Sequence, residues 1–219
     1  MHRRAAAVRR GIAVRPVRAA IILAGGRSSR MGADKLGLHI DGRSLLQRAV
    51  AAGLAWSEHI VVAGPQPPEW SHDPRVEFVP EDPPFGGPVA GIAAALAAAG
   101  DADEVFLLAG DLAAPAQVVS VLADAPMGSD GVILEDADGW AQYLAGRYCA
   151  DSVRRALGEL GDVRNVSVRR ALGTLVVHRV AADRPITADL DTPNDAKIAG
   201  AVDIRDELPR IDLPGRLHE

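Results

Sequence analysis

Three cations and three carboxylates stand out by type and spacing. Residues 20–35 read AIILAGGRSSRMGADK, a short apolar run that ends in two glycines and then delivers Arg27, Arg30 and Lys35. Gly25 and Gly26 permit open backbone angles and a close approach to a ligand. Successive N–H groups in such a turn form an anion-binding concavity, and the cations beside it make this a loop suited to phosphate. A solvated surface turn is the plain alternative. Of the 24 basic residues only Lys35 and Lys197 are lysines, so a lysine here runs against the habit of the chain. A compact ammonium suits a phosphate oxygen as a point charge.

The carboxylates are Asp111, Asp189 and Asp191. Asp111 follows the apolar run VFLLAG, and a carboxylate at the end of a buried strand suits a hard cation such as Mg²⁺ held together with substrate phosphates. A turn or helix-capping aspartate is the alternative. Asp189 and Asp191 lie in TADLDTPND and share one side of an extended segment. Asp191 or Thr192 capping the following helix is the competing reading, and capping and metal binding can coexist.

Other chemistries find little support. The six histidines show no metal-ligand spacing, so a zinc site is not expected. The single cysteine, Cys149, excludes an intrachain disulfide and reads as a small hydrophobic residue. There is no G-x-S-x-G elbow, no G-x-x-x-x-G-K-[ST] loop and no G-x-G-x-x-G after the first apolar run. Trp56, Trp70 and Trp140 read as packing residues.

The elements that must position these groups alternate in type. Strands are expected at 17–24, 59–63, 76–79, 104–109, 131–134, 140–145 and 174–180, with 36–40 extended and a turn at Asp41-Gly42. Helices are expected at 44–54 with Ser44 as N-cap, 89–99, 115–122, 150–157, 166–172 and 193–201. This alternation argues for βαβ units in a mainly parallel sheet covered on both faces. Ligands in such sheets bind outside the carboxyl ends of the strands, which would put the 25–35 loop and Asp111 on one rim.

The chain has 219 residues and a net charge of −5, with 48% hydrophobic and 24% charged residues. That is ordinary globular composition, with no electrostatic case for nucleic acid or a membrane surface as partner. No apolar run approaches the roughly 20 residues of a membrane span. Residues 1–18 carry six arginines and no acid and read as a disordered basic leader. A single domain over 19–203, a charged tail over 204–219 and a cytoplasmic location complete the expectation.

LAGGRSSRMGADK resembles the signature loop of the nucleotidyltransferases that make the molybdenum cofactor dinucleotide, the MobA-like group. FGGPVAGI at 85–92, LLAGDLAAPA at 107–116 and DLDTPNDA at 189–196 are similar to further stretches of that family, in the same order. WAQYLAGRY at 140–148 is similar to the segment where the family reads its acceptor. The resemblance implies a three-layer, Rossmann-like nucleotidyltransferase fold, and Mg²⁺-dependent transfer of GMP from GTP to a molybdopterin-type phosphate acceptor, with pyrophosphate released. It also implies transient contact with molybdenum cofactor proteins. Carried over by position, Leu23, Ala24, Gly25 and Gly26 hold the nucleotide, Arg27 and Lys35 its phosphates, and Asp111 the metal. Asp191 falls at the second metal contact, and Asp82 near a position that reads guanine. The chain departs from the pattern in two places. Leu112-Ala113-Ala114 stands between Asp111 and Pro115, and Ala63-Gly64-Pro65 stands where guanine-specific relatives tend to carry Asn. A cytidylyl- or sugar-phosphate nucleotidyltransferase and a non-catalytic nucleotide-binding regulator are the other readings. Arg27, Lys35, Asp111 and Asp191 together speak against the regulator.

Overall fold

The structure, a computed structural model, describes residues 15–25, 36, 38–82, 84 and 86–182. Gly26, Arg27, Arg30, Lys35, Asp189, Asp191, the expected helix at 193–201 and the expected leader and tail lie outside these residues, except for 15–18.

The first strand, β1 (Arg18–Leu23), is followed by a two-rung hairpin, β2 (His39–Ile40) and β3 (Arg43–Ser44). Its turn is Asp41-Gly42, both at positive φ, a conformation that Asp tolerates and Gly adopts freely. Helix α1 (Leu45–Leu54) starts at Ser44, whose hydroxyl accepts from Gln47 N while the Gln47 side chain accepts from Ser44 N. This reciprocal box fixes the start of the helix. Then come β4 (His59–Ala63), β5 (Val76–Val79), α2 (Pro88–Ala98), β6 (Glu104–Ala109), α3 (Pro115–Asp124), β7 (Gly131–Glu135), β8 (Ala141–Cys149), α4 (Ala150–Leu160), α5 (Val168–Leu172) and β9 (Val177–Ala181).

Seven of the strands form one sheet in the order β5-β4-β1-β6-β8-β7-β9. All pairings are parallel except those of β8, which runs antiparallel to both β6 and β7. β1 and β6 are apolar along nearly their whole length because both faces are covered. Ala19 and Ile21 point into a core shared with α2, α4 and α5; Ala20 and Ile22 point into one shared with α1 and α3. The period of two along β1 thus reads out the two helical layers, giving the three-layer α/β arrangement expected.

Two expectations are corrected. The strand expected at 140–145 continues to Cys149, because Gly146–Cys149 are needed to pair with β6. Its register against β7 jumps between Ile133↔Gly146 and Leu134↔Gln142, a bulge that bends the outer part of β8. Trp140 is not a packing residue: it is 60% exposed at the start of this strand. Trp56 and Trp70 do pack, edge-on against Phe106 at 4.5 Å and Phe78 at 5.2 Å.

Arg147 is buried under α3. Its guanidinium donates to the carbonyls of Ala123 and Ala125, 3.0 and 2.8 Å away, at the negative end of that helix. Burial pulls its pKa down, and the neighbouring Glu104 carboxylate opposes that shift.

Candidate active site

The strand order reverses beside β1, with β4 and β5 on one side and β6 on the other. In open α/β sheets this reversal opens a crevice at the carboxyl ends of the strands. The register of β1 against β6 pairs Leu23 with Ala109, so the two chains leave the sheet side by side. Gly110 N donates to Leu23 O at 3.0 Å, and Ala24 N donates to Ala63 O at 2.9 Å. The turn at Ala24-Gly25 is therefore clamped between the ends of β4 and β6, and half-buried Asp111 stands one residue beyond its clamp. Of the expected site residues, Leu23, Ala24, Gly25 and Asp111 come together on one rim.

Two glycines here are closely approached, one by the end of a side chain and one by backbone. A Cβ on Gly25 would stand 2.5 Å from Glu81 Oε1. A Cβ on Gly110 would stand 2.8 Å from Leu23 O and 3.1 Å from Leu36 Cδ2. The second contact is with backbone, so Gly110 sets how closely the end of β6, and with it Asp111, approaches β1.

Glu81 was not singled out in the sequence. Its carboxylate lies over Gly25, and its Cγ would be 3.8 Å from a Cβ on Gly91, in the first turn of α2. Asp82, the expected guanine reader, is exposed, whereas Glu81 is half-buried. The signal was one residue away, in the PED that opens the Pro/Gly loop. Helix α2 itself begins at Gly87 and Pro88 with no side-chain cap. Its open N–H groups and positive dipole end favour an anion on the same rim.

On the other side of Asp111, Ala109, Leu112, Gln142, Tyr143, Leu144, Ala145 and Val168 line a cavity of about 150 Å³. The β7–β8 connection rises beyond it. Asp136 accepts from Asp138 N at 3.0 Å, Trp140 N at 2.9 Å and Gln142 Nε2 at 2.7 Å. One carboxylate thus ties the backbone of the turn and the Gln142 side chain that follows it.

The donor set bears on a metal. Among the described residues no three His, Cys, Asp or Glu side chains gather where an ion could be caged. Mg²⁺ needs no such cage, since it is commonly held by one or two carboxylates and the substrate's own phosphates. Asp111, at the rim beside an anion-favouring turn and helix end, fits that role.

The chain resembles known proteins in sequence and in fold. Residues 20–178 match the MobA-like NTP transferase domain. A molybdenum cofactor guanylyltransferase of Xanthomonas euvesicatoria is 33% identical over 180 residues, covering 79% of this chain and 89% of that one. The solved molybdopterin-guanine dinucleotide biosynthesis protein A from Archaeoglobus fulgidus superposes with a TM-score of 0.58 at 19% identity, covering 87% of this chain and 100% of that one. The 2-C-methyl-D-erythritol 4-phosphate cytidylyltransferase of Francisella tularensis superposes with a TM-score of 0.61 at 14% identity, covering 84% and 98%. At these identities the two structures speak to the fold. The sequence match spans β1 through most of the sheet, and the rim it encloses carries the glycine turn and Asp111 in register; the chain belongs to the MobA-like NTP transferase family and is a nucleotidyltransferase.

Proposed function

We propose that this protein transfers GMP from GTP to the phosphate of a molybdopterin-type acceptor, with release of pyrophosphate. The observation that carries the reading is the β1–β6 register, which sets the Ala24-Gly25 turn and Asp111 side by side at the sheet's reversal. The name of the Xanthomonas relative supplies the acceptor and the nucleotide.

In this reaction an oxygen of the acceptor phosphate attacks the α-phosphorus of the nucleotide. The bond from that phosphorus to the bridging oxygen breaks, and pyrophosphate carries the electron pair away. An acceptor phosphate is already ionised near neutral pH, so positioning and charge do most of the work. The 23–26 stretch holds the nucleotide, Arg27 and Lys35 take its phosphates, and Asp111 would hold Mg²⁺, with Asp191 as its second carboxylate. Bound Mg²⁺ would offset the repulsion between the two anions and the charge growing on the leaving group.

Glu81 favours guanine over cytosine. A carboxylate is acceptor-only, so it pairs with the N1–H and N2–H donors of guanine. Cytosine offers it a single donor, the N4 amine, beside the N3 acceptor, so the paired contact is lost. A site built on such a hydrogen bond rejects bases that lack the donors. The test is a melting series with GTP, CTP, ATP and UTP in Mg²⁺, since specific binding raises Tm by mass action. GTP is expected to give the largest rise, and Glu81→Gln to narrow the gap between GTP and CTP. A rise with CTP equal to that with GTP in the wild type overturns the guanylyl assignment and favours the cytidylyl reading.

A further inference from the structure

We propose that Trp140, backed by Arg169, is the stacking platform for the planar ring of the acceptor, a pterin-type heteroaromatic, while the acceptor's phosphate sits at Asp111. The inference rests on the acceptor class proposed above. It concerns residues at which the chain's geometry departs from what its sequence suggested.

Trp140 is 60% exposed, and its backbone is held in place. Its main-chain amide donates to Asp136 Oδ1 at 2.9 Å, and its carbonyl accepts from Asp136 N at 3.0 Å. Gly139 turns the chain at positive φ just before it. The Arg169 guanidinium, from the first turns of α5, lies over one face of the indole, 5.7 Å from the ring centroid. The arginine covers one side and the exposure leaves room for a second flat group. An open aromatic surface on a tied backbone and backed by a cation loses little entropy when a planar ligand settles on it.

Its position fits one end of a long acceptor. Gln142, two residues along the same strand, lines the cavity that also contains Ala109 and Leu112, the immediate neighbours of the Gly110-Asp111 pair. A strand rises about 3.3 Å per residue, so the backbone of Trp140 lies roughly 7 Å along the chain from that of Gln142. A fused heteroaromatic ring with a phosphate on its side chain offers a flat face for the indole and an anion for the rim at Asp111; a sugar phosphate offers no such aromatic face. Flat rings stack on aromatic side chains whatever their hydrogen-bond pattern.

The experiment measures affinity for 6-hydroxymethylpterin phosphate by equilibrium dialysis, and affinity for GTP with Mg²⁺ in parallel. The proteins are the wild type, Trp140→Ala, Trp140→Phe and Arg169→Ala. Trp140→Ala is expected to weaken pterin binding about 5- to 150-fold, the range of single stacking contacts. Trp140→Phe should restore most of it, and Arg169→Ala should cost about 2- to 5-fold, as an exposed cation–π contact does. GTP affinity should hold in all four. Unchanged pterin affinity in Trp140→Ala, or no pterin binding by the wild type, overturns the proposal. So does a loss of GTP rather than pterin affinity, which would assign the indole to the nucleobase. If GTP fails to bind the wild type while pterin binding still depends on Trp140, the guanylyl reading falls and the platform stands.

Discussion

Replacing Gly110 with alanine tests whether the closeness of β1 and β6 positions the chemistry. The new methyl would stand 2.8 Å from Leu23 O and 3.1 Å from Leu36 Cδ2. A carbon settles about 3.3–3.6 Å from a carbonyl oxygen, so the end of β6 must retreat by about half an ångström or more. The Leu23 carbonyl cannot swing away, because it also receives the Gly110 N–H at 3.0 Å. Overpacking of this kind costs about 1–3 kcal/mol, or about 3–9 °C in Tm for a chain of this size. The larger effect falls on Asp111, the next residue. A misplacement of about 1 Å can cost about 100-fold in rate, so kcat/KM for nucleotidyl transfer is expected to drop about 10- to 100-fold. Gly158→Ala in α4 is the control: nothing lies within 4 Å of its Cβ, so transfer should hold. The assay is pyrophosphate release with GTP, Mg²⁺ and acceptor, read beside a thermal melt. A Gly110→Ala enzyme with wild-type kcat/KM refutes the reasoning even if its Tm falls, because the contact would then serve packing without positioning the carboxylate.

Two further outcomes follow from other parts of the structure. Asp111→Asn should lower kcat for transfer by at least about 100-fold while shifting Tm by less than about 3 °C, since a charge aimed at substrate contributes mainly in the transition state; near-normal kinetics would remove its metal role. Asp130 ties the start of β7 to α4 and to the approach of β9. It accepts from Ser152 Oγ at 2.6 Å, Val176 N at 2.7 Å and Arg155 Nη2 at 3.1 Å. The Ser152 hydroxyl, followed by the Val176 amide, holds its pKa below the usual carboxylate value. A carboxylate with a lowered folded pKa stabilises fully above its unfolded value, near pH 4, and loses that stability as pH falls through the folded value. Asp130→Asn should therefore cost about 1.5–3 kcal/mol at pH 7, the range for hydrogen bonds to a charged group. In urea melts the gap between wild type and variant should shrink as pH falls from 5 to 2; a gap that stays constant over that range contradicts the assignment.

The sequence determined the elements and the near side of the site. The Ser44 cap, the Asp41-Gly42 turn and the unbroken apolar runs of β1 and β6 are local signals, set by dihedral preference and by burial on two faces, and each stands where the residues put it. The adjacency of the 24–25 turn and Asp111 was legible too, because a parallel sheet with one reversal leaves few places for two strand ends to go. What tertiary structure decided is which side chains face that rim. Glu81 and Asp82 are neighbours in the chain, and no local rule distinguishes them. The packing of Glu81 onto Gly25 and Gly91 does. Trp140 looks like core material in one dimension, since a large apolar ring is usually buried. It stands at the tip of the β7–β8 hairpin, past Ala145 where the pairing of β8 with β6 ends and past the jump in register against β7. There the indole lies beside Arg169 of α5. Pairing partners distant in sequence fix such directions, so they appear only once the sheet is assembled.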